Sequence, residues 1–177
     1  MAFPISLEEG RAQLRLEIDD DSRDGELRPW IEDAAAWVED YTGHILVERE
    51  VTENVSGFKA VELRAWPIAA NVVPGVAYLR ADNTPIAIRG ARIDVTRRPA
   101  RVFPGTGQFW PFQNSAQPFT ISVTAGYASP ADVPRNFRRA MLILISAYDN
   151  DREGGVLFQE AEASARKLCG GRRLRRV

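Results

Sequence analysis

The stretch VPRNFRRAMLILISAYDNDREGG at residues 133–155 predicts a long, buried α-helix. Asp132 and Pro134 favour a start there, because aspartate can cap free amides and proline loses nothing in the first turn. Five large side chains then recur at helical spacing: Phe137, Met141, Leu144, Ile145 and Tyr148. Leu142 and Ile143 extend the apolar surface around the helix, so we expect burial on more than one side, within the domain or against another chain. Polar residues and glycines at 150–155 end the pattern.

Two shorter helical patterns precede this stretch. Ser6 and Glu9 fit a capping box, in which the serine oxygen accepts from a first-turn amide and the glutamate reaches back to the serine amide. This predicts a first helix over residues 7–17. A second apolar repeat predicts a helix over residues 25–43, with its terminal glycine as C-cap. That start is required because Pro29 is tolerated only in or next to the first turn.

Between residues 46 and 125 the pattern changes to short strands. Phe119, Ile121 and Val123 alternate with polar residues, which is the clearest strand signal in the chain. A turn-forming stretch lies between two further apolar runs and predicts a β-hairpin of residues 76–79 and 85–88. Other short strands are predicted at 61–65, 93–95 and 101–103.

The order of these patterns predicts an α+β fold, with a mostly antiparallel β region inserted between helices. A last short helix with a small-residue face is predicted by Leu157, Ala161, Ala165 and Leu168. At 177 residues the chain is long enough to bury one core without disulfides or metal. We therefore expect a single domain of four segments: 1–45 helical, 46–126 β, 127–169 helical, and 170–177 a flexible arginine-rich tail.

The composition is that of an ordinary soluble protein. The N-terminus lacks a basic region followed by an apolar run, and no apolar segment approaches membrane-spanning length. We therefore expect neither a secretion signal nor membrane insertion. Cys169 is the single cysteine, which fits folding in a reducing compartment.

Charge is unevenly distributed, although the formal net charge is only −1. Residues 1–60 carry fifteen acidic and six basic side chains, whereas residues 135–177 carry five acidic and ten basic. Opposite charges at the two ends favour head-to-tail contacts between copies, a nucleic-acid partner, or only intramolecular attraction. The acidic run also suits the positive end of the helix that follows it. It comprises Asp19, Asp20, Asp21 and Asp24.

No arrangement of residues predicts catalysis or metal binding. His44 and Cys169 are the only residues of their types, and they form no local nucleophile motif. We expect the His44 imidazole to cap carbonyls at a helix end. Residues 20–25 match the opening of a calcium loop, but its closing position holds Ile31 where a bidentate glutamate is needed. Phosphate-binding and dinucleotide motifs are absent, so we expect no cofactor and no enzyme activity.

Two segments are suited to contacts with partners. Residues 104–118 form a long predicted loop that carries Phe109, Trp110 and Phe112, and exposed aromatic loops are typical of contact sites. The tail contains four closely spaced arginines, which suit carboxylate or phosphate recognition, including a DNA backbone. The alternative for the tail is a solubilising, disordered end. These arginines are Arg172, Arg173, Arg175 and Arg176.

Several stretches together resemble the head-tail connector, or adaptor, proteins of tailed bacteriophages and of gene-transfer agents. They are ISLEE at 5–9 with LR at 14–15, IEDAAAWVEDYTGHIL at 31–46, WPI at 66–68, TAGY at 124–127, VP at 133–134 and AMLILISAYDNDRE at 140–153. These stretches span nearly the whole chain in the family's order. The long β region matches less clearly.

The resemblance implies a noncatalytic subunit that forms a ring of twelve copies below the portal, in the neck of a virion or phage-like particle. Such a ring extends the DNA channel and links the capsid to the tail. The implied partners are the portal protein, a stopper or next connector protein, other copies of the chain, and passing double-stranded DNA without sequence readout. No membrane is implied, and the subunit is made in the bacterial host cytoplasm.

The resemblance also assigns roles to segments. C-terminal segments of related adaptors engage the portal, which gives this role to the arginine tail. We expect the loop with Phe109, Trp110 and Phe112 to face a neighbour, and the acidic run to line the channel, where an acidic wall lets DNA slide. Two rival hypotheses are a non-specific DNA-binding module that uses the tail arginines and an enzyme whose site forms across chains. The particle can be an infectious phage or a gene-transfer agent, and free subunits can be monomers or rings.

Overall fold

A computed structural model of the chain describes residues 3–17, 19–55, 61–80, 82, 84–110 and 119–173. The chain divides into two compact units. The helical unit is formed by Met1–Val47 and Tyr127–Val177, and the β unit by Glu48–Gly126. The combination of helices with antiparallel sheets confirms the predicted α+β class.

The described residues of the helical unit form four α-helices: α1 (Leu7–Gln13), α2 (Asp24–Thr42), α3 (Arg135–Asn150) and α4 (Val156–Cys169). Short 3-10 turns precede α3 at Pro130–Asp132 and follow α4 at Gly170–Arg172. The predicted central helix is confirmed as α3, which packs against α1, α2 and α4. Five inner residues of α3 are fully buried: Phe137, Ala140, Met141, Leu144 and Ile145.

The core of the helical unit fills the space between α3 and its neighbours. α2 contributes Leu27, Ile31, Ala34 and Val38, and α4 contributes Ala165 and Cys169. Leu142 and Ile143 of α3 are only half-buried. α3 is therefore buried on two sides within its own unit, because α2 and α4 cover different faces of it.

The first helix is shorter than the predicted span of 7–17. Its capping box is confirmed, since the Glu9 amide donates to Ser6 Oγ at 3.1 Å and the Ser6 amide donates to Glu9 Oε2 at 3.0 Å. The helix ends at Gln13, and Arg15 adopts a φ of +59°. This left-handed conformation is uncommon for a residue with a Cβ atom and is incompatible with a continuing helix.

The second and third helices start differently from the prediction. α2 begins at Asp24, so Pro29 lies in its second turn, while Gly43 is the left-handed C-cap as predicted. Pro134, and not Asp132, is the N-cap residue of α3. The Asp132 carboxylate instead accepts the Ser129 amide at 3.1 Å and its hydroxyl at 2.8 Å, because it caps the preceding 3-10 turn.

Within the part of the β unit that the structure describes there are seven strands: β1 (Arg49–Val55), β2 (Val61–Leu63), β3 (Gly75–Leu79), β4 (Pro85–Ile88), β5 (Arg92–Asp94), β6 (Ala100–Phe103) and β7 (Phe119–Ala125). They form a four-stranded sheet in the order β1-β7-β3-β4 and a three-stranded sheet in the order β2-β6-β5. All strand pairs are antiparallel.

Side-chain alternation sets the faces of both sheets. Phe119, Ile121 and Val123 of β7 are buried, as the sequence pattern predicted. The predicted β3–β4 hairpin is confirmed, with Val76 opposite Ile88. In the three-stranded sheet, Val102 of β6 is buried while its neighbours on the strand point to the other face.

Candidate interaction surfaces

The first two arginines of the predicted tail lie directly after α4. Residues 170–172 form a 3-10 turn, so this part of the chain extends the helix instead of beginning a flexible tail. The guanidinium carbon of Arg173 lies 4.8 Å from the centroid of the Tyr41 ring on α2, in a cation–π arrangement. Arg175 and Arg176 lie outside the described residues.

The Tyr41 ring belongs to a supported aromatic pair. It stacks on Trp37, one turn earlier in α2, with ring centroids 5.2 Å apart and an interplanar angle of 15°. Trp37 Nε1 donates to Glu162 Oε1 of α4 at 3.1 Å. Arg166 donates to the same oxygen at 2.7 Å, and these two bonds lower the pKa of the Glu162 carboxyl. Arg173 therefore rests on a surface that α2 and α4 hold in place.

Two aromatic residues of the predicted contact loop have different environments. The side chain of Phe109 is 92% exposed, as predicted. Trp110 is half-buried, and its ring centroid lies 6.4 Å from that of the buried Phe119. Trp110 therefore anchors the loop to β7 and is not a second exposed aromatic. Phe112 lies outside the described residues.

The base of this loop packs closely against the turn between β4 and β5. A Cβ atom on Gly105 would lie 2.7 Å from Gln108 Oε1 and 2.8 Å from the Gly90 carbonyl oxygen, so only glycine fits. The Gln108 amide donates to the Gly105 carbonyl at 2.9 Å. Phe109 is thus presented from a loop that is fixed on both of its sides, by Gln108 and by Trp110.

The acidic run contains both paired and exposed carboxylates. Arg11 Nε and Nη2 donate to the two Asp24 oxygens at 2.9 and 2.7 Å, which lowers the pKa of that carboxyl and joins α1 to α2. Hydrogen bonds from Ser22 lower the pKa of Asp20. Asp19 and Asp21 are exposed. Arg11 donates to both oxygens of Asp24. This carboxylate, which belongs to the opening of the calcium-like loop, is therefore already engaged in a contact within the helical unit.

The lone histidine and cysteine both belong to the packed interior. His44 Nδ1 lies 2.9 Å from Tyr127 Oη, and the His44 ring packs edge-on to Phe137. The Thr42 hydroxyl donates to the Val38 carbonyl at 2.7 Å, which satisfies that carbonyl near the end of α2. Cys169 is fully buried, and burial raises the pKa of its thiol to about 11. Such a thiol is protonated at neutral pH and is a poor nucleophile.

Over the described ranges, no three His, Cys, Asp or Glu side chains come together in a way that could hold a metal ion. Among the helices that the structure describes, none is both long and apolar enough to cross a membrane.

The sequence analysis missed an exposed apolar pair at the start of α4. Val156 is 69% exposed and Leu157, one of the residues whose spacing predicted this helix, is 56% exposed. Phe158 takes the inner position and stacks on Tyr148, with ring centroids 5.6 Å apart. The signal was present in the sequence, because three consecutive large apolar residues cannot all face one side of a helix.

A second missed feature surrounds Trp30 near the start of α2. The guanidinium carbons of Arg23 and Arg152 lie 5.5 and 5.4 Å from the centroid of a Trp30 ring. Both arginines also donate to Glu26 Oε2, at 3.1 and 3.0 Å. Arg23 donates further to Asp149 Oδ1 of α3 at 2.5 Å. These charges connect the start of α2 to the end of α3, so the cluster has a structural role.

No protein-family model and no curated protein matches this chain. Chains in solved structures of gene transfer agent particles share its fold. The neck of an empty gene transfer agent (GTA) particle, computed with C6 symmetry, matches with a TM-score of 0.71 at 21% identity, over 98% of this chain and 91% of that chain. The virion of a native GTA particle matches with a TM-score of 0.73 at 22% identity, over 98% and 91%.

The third structure is the neck of a native GTA particle computed with C12 symmetry. It matches with a TM-score of 0.69 at 22% identity, over 100% of this chain and 97% of that chain. The likeness therefore covers both the helical unit and the β unit. The fold expected from the sequence resemblance is confirmed: this chain has the fold of protein chains found in the neck and virion of gene transfer agent particles.

Proposed function

We propose that the chain is a noncatalytic head-tail connector, or adaptor, in the neck of a phage-like particle. Twelve copies form a ring below the portal, extend the DNA channel and link the capsid to the tail. One observation carries this proposal: the fold matches neck chains along nearly the whole length of this chain and of those chains. One of the matched necks has C12 symmetry. A shared fold alone does not set function, so the surfaces described above must also fit the role.

The charge distribution supports assembly into a closed ring. A ring is built from heterologous contacts, in which one surface of a subunit meets a different surface of the next. Residues 1–60 carry a net charge of −9 and residues 135–177 a net charge of +5. Such opposite charges on one chain attract copies in a head-to-tail sense.

The arginine tail is the proposed contact with the portal. Arg172 and Arg173 are exposed at the end of the helical unit, and Arg175 and Arg176 follow them in the sequence. Guanidinium groups bind carboxylates in a bidentate manner, so the complementary portal surface is acidic. The Tyr41 ring positions Arg173 for this contact, because it fixes one arginine on the surface of α2.

Two further surfaces receive proposed roles. The loop with Phe109, Trp110 and Phe112 contacts a neighbouring subunit or connector, with Phe109 as the contacting side chain and Trp110 as its support. Carboxylates of the acidic run face the DNA channel, where like charge prevents the DNA backbone from adhering. Of that run, Asp19 and Asp21 are the exposed members and suit this role better than the paired Asp20 and Asp24.

The proposed role needs no chemistry. The buried, protonated thiol of Cys169 and the packed imidazole of His44 are unsuited to catalysis. The rival hypothesis of a free DNA-binding module gains no support from the structural matches, which are all to assembled particles.

Native mass spectrometry of the purified chain, alone and mixed with the portal ring of its particle, tests the proposal. We expect a closed oligomer of twelve copies, either free or only on the portal. An unrelated ring of similar size and acidity is the control and should capture no subunits. A chain that stays monomeric and does not bind the portal would refute the adaptor function.

A further inference from the structure

One end of the three-stranded sheet carries exposed aromatic side chains beside arginines. Phe103 is 39% exposed and lies opposite Arg92 in the β5–β6 register. Arg92 Nε donates to the Pro104 carbonyl at 3.5 Å, where the loop that carries Phe109 begins. Gly90 packs against Gly105 and Gln108 at the base of this loop, which brings the exposed Arg89 to the same end. We call these residues the aromatic patch: Phe103, Phe109, Arg89 and Arg92.

The start of α4 has the complementary composition. Val156 and Leu157 are exposed on the first turn of the helix. Glu160 is exposed one turn later, at the spacing that places it on the same face as Val156 and Leu157. Glu153 is exposed immediately before the helix. We call these residues the α4 patch: Glu153, Val156, Leu157 and Glu160.

We propose that the aromatic patch of one copy docks on the α4 patch of the next copy. This inference rests on the proposed ring and names the contact that builds it. Each patch has an apolar centre and charges of one sign, basic in the first and acidic in the second, so the two are complementary in both respects. Like charges oppose a contact of either patch with the same patch of another copy.

The rigidity of the aromatic patch supports a docking role. Phe109 has its neighbours fixed by the Gly105 carbonyl on one side and by Phe119 on the other. A loop segment whose neighbouring residues are held in position before binding loses less conformational entropy when it docks. A large aromatic residue of this kind is a typical centre of a contact, whereas the surrounding charges set its orientation and rate of formation.

Cysteine cross-linking on assembled protein tests the contact directly. Cys169 is the only cysteine, so Cys169→Ala supplies a background without reactive thiols. Mixing Phe109→Cys chains with Leu157→Cys chains should yield a disulfide-linked dimer upon mild oxidation. A chain that carries both substitutions should yield a ladder of dimers, trimers and higher species, because the contact repeats from copy to copy. Val73→Cys, at another exposed apolar position of the β unit, should not link to Leu157→Cys.

Charge reversal gives an independent readout. Arg92→Glu should weaken ring assembly about tenfold, which corresponds to about 1.4 kcal/mol and is the size expected when one charged contact between copies is lost. Glu160→Arg in the same chain should recover part of that loss. Phe109→Ala should weaken assembly at least as strongly while leaving the unfolding midpoint of the monomer unchanged.

The outcomes separate this inference from the proposed function. A ring that forms normally with Phe109→Ala and gives no Phe109–Leu157 cross-link would overturn the contact and leave the adaptor function intact. The contact would also be overturned if Phe109→Cys chains cross-linked only to one another. A cross-link of Phe109→Cys to a DNA-bound probe or to another neck protein would overturn it as well. Failure of the unmodified chain to assemble or to bind the portal would instead refute the proposed function.

Discussion

Arg173 and Tyr41 are in contact, with the guanidinium carbon 4.8 Å from the centroid of the tyrosine ring. This contact holds the Arg173 side chain against α2. Tyr41 itself is stacked on Trp37, which is bonded to Glu162 of α4. The last described residue of the chain is therefore held by side chains from α2, although it follows α4 in the sequence.

Replacing the Tyr41 ring should loosen the tail without unfolding the protein. Tyr41→Leu removes the π face and should lower the unfolding free energy by about 1 kcal/mol, the size of a partly exposed cation–π contact. Portal binding should weaken severalfold, because Arg173 would have to be ordered upon binding. Surface plasmon resonance with immobilised portal measures the change in affinity. Tyr41→Phe keeps the ring and is the control. Tighter binding by Tyr41→Leu would mean that the contact competes with the portal.

Neutralising the tail tests the proposed portal contact itself. Replacing Arg172, Arg173, Arg175 and Arg176 by glutamine should abolish capture by the portal and leave the fold unchanged, because the described members, Arg172 and Arg173, are exposed. Binding by the unmodified chain should weaken as salt is raised, since the contact is between charges. Pull-down on portal rings at several salt concentrations provides the measurement. Unchanged capture by the fourfold variant would show that another surface binds the portal.

Hydrophobic periodicity was sufficient to predict the main elements of both units. α3 and β7 have strong patterns of period 3.6 and 2, and both were located correctly. β1 was not predicted individually, because Glu50, Glu53 and Asn54 interrupt its apolar pattern and its place in the sheet depends on pairing with the distant β7. The early end of α1 at Gln13 is followed by the left-handed Arg15, and the residue types in this stretch do not predict that conformation.

The candidate surfaces were predictable only as segments. The sequence indicated an aromatic loop, but only the contact with Phe119 distinguishes the anchoring Trp110 from the exposed Phe109. The exposure of Leu157 was missed because Phe158, its neighbour, occupies the inner position against Tyr148. The local pattern at 156–158 shows that one of the three apolar residues must face outward, but the contacts that decide which one, like the contact of Trp110 with Phe119, join residues from different elements.

Acid should remove the cap that Asp151 places on α4. Its carboxylate accepts the Gly155 and Phe158 amides at 3.0 and 3.1 Å, and these bonds lower the pKa of the Asp151 carboxyl. A carboxyl with a lowered pKa in the folded state stabilises the protein above its unfolded pKa of about 3.9, and this stabilisation is lost as pH falls through the folded value.

Asp151→Asn should therefore be less stable than the unmodified chain at pH 7, and the difference should shrink at pH 4 and below. Urea unfolding followed by circular dichroism at several pH values measures it. Glu153→Gln, an exposed change two residues later, should leave stability unchanged at pH 7. A difference for Asp151→Asn that persists undiminished in acid would show that the charge of Asp151 is not what stabilises α4.

The buried face of α3 should dominate the stability of the helical unit. Phe137 is fully buried and packs edge-on to His44 with ring centroids 5.0 Å apart. Phe137→Ala should lower the unfolding free energy by about 3–5 kcal/mol, through lost burial and the cavity that remains. Ile143→Ala on the half-buried side of the same helix should cost markedly less. Equal losses for the two variants would mean that Ile143 is as deeply buried as Phe137.

Gly10 and Leu27 should show a coupled effect on stability, because they form the close contact between α1 and α2. A Cβ atom on Gly10 would lie 2.9 and 3.0 Å from the two Leu27 methyl groups, and Leu27 is fully buried. Gly10→Ala gains about 1 kcal/mol of helix propensity but overpacks the core at a cost of about 1–3 kcal/mol. The net result should be destabilising.

A double-mutant cycle isolates this contact. Leu27→Ala alone should cost about 2–5 kcal/mol, and adding Gly10→Ala should then recover part of that loss, because the new methyl group fills part of the cavity. Gly25→Ala is the matched control: its Cβ atom meets nothing within 4 Å, so it should stabilise α2 by roughly 0.5 kcal/mol. Urea midpoints of the four variants and the unmodified chain give these values. Additive effects of Gly10→Ala and Leu27→Ala would show that Leu27 can move aside, and that the glycine is not required for α1 to pack against α2.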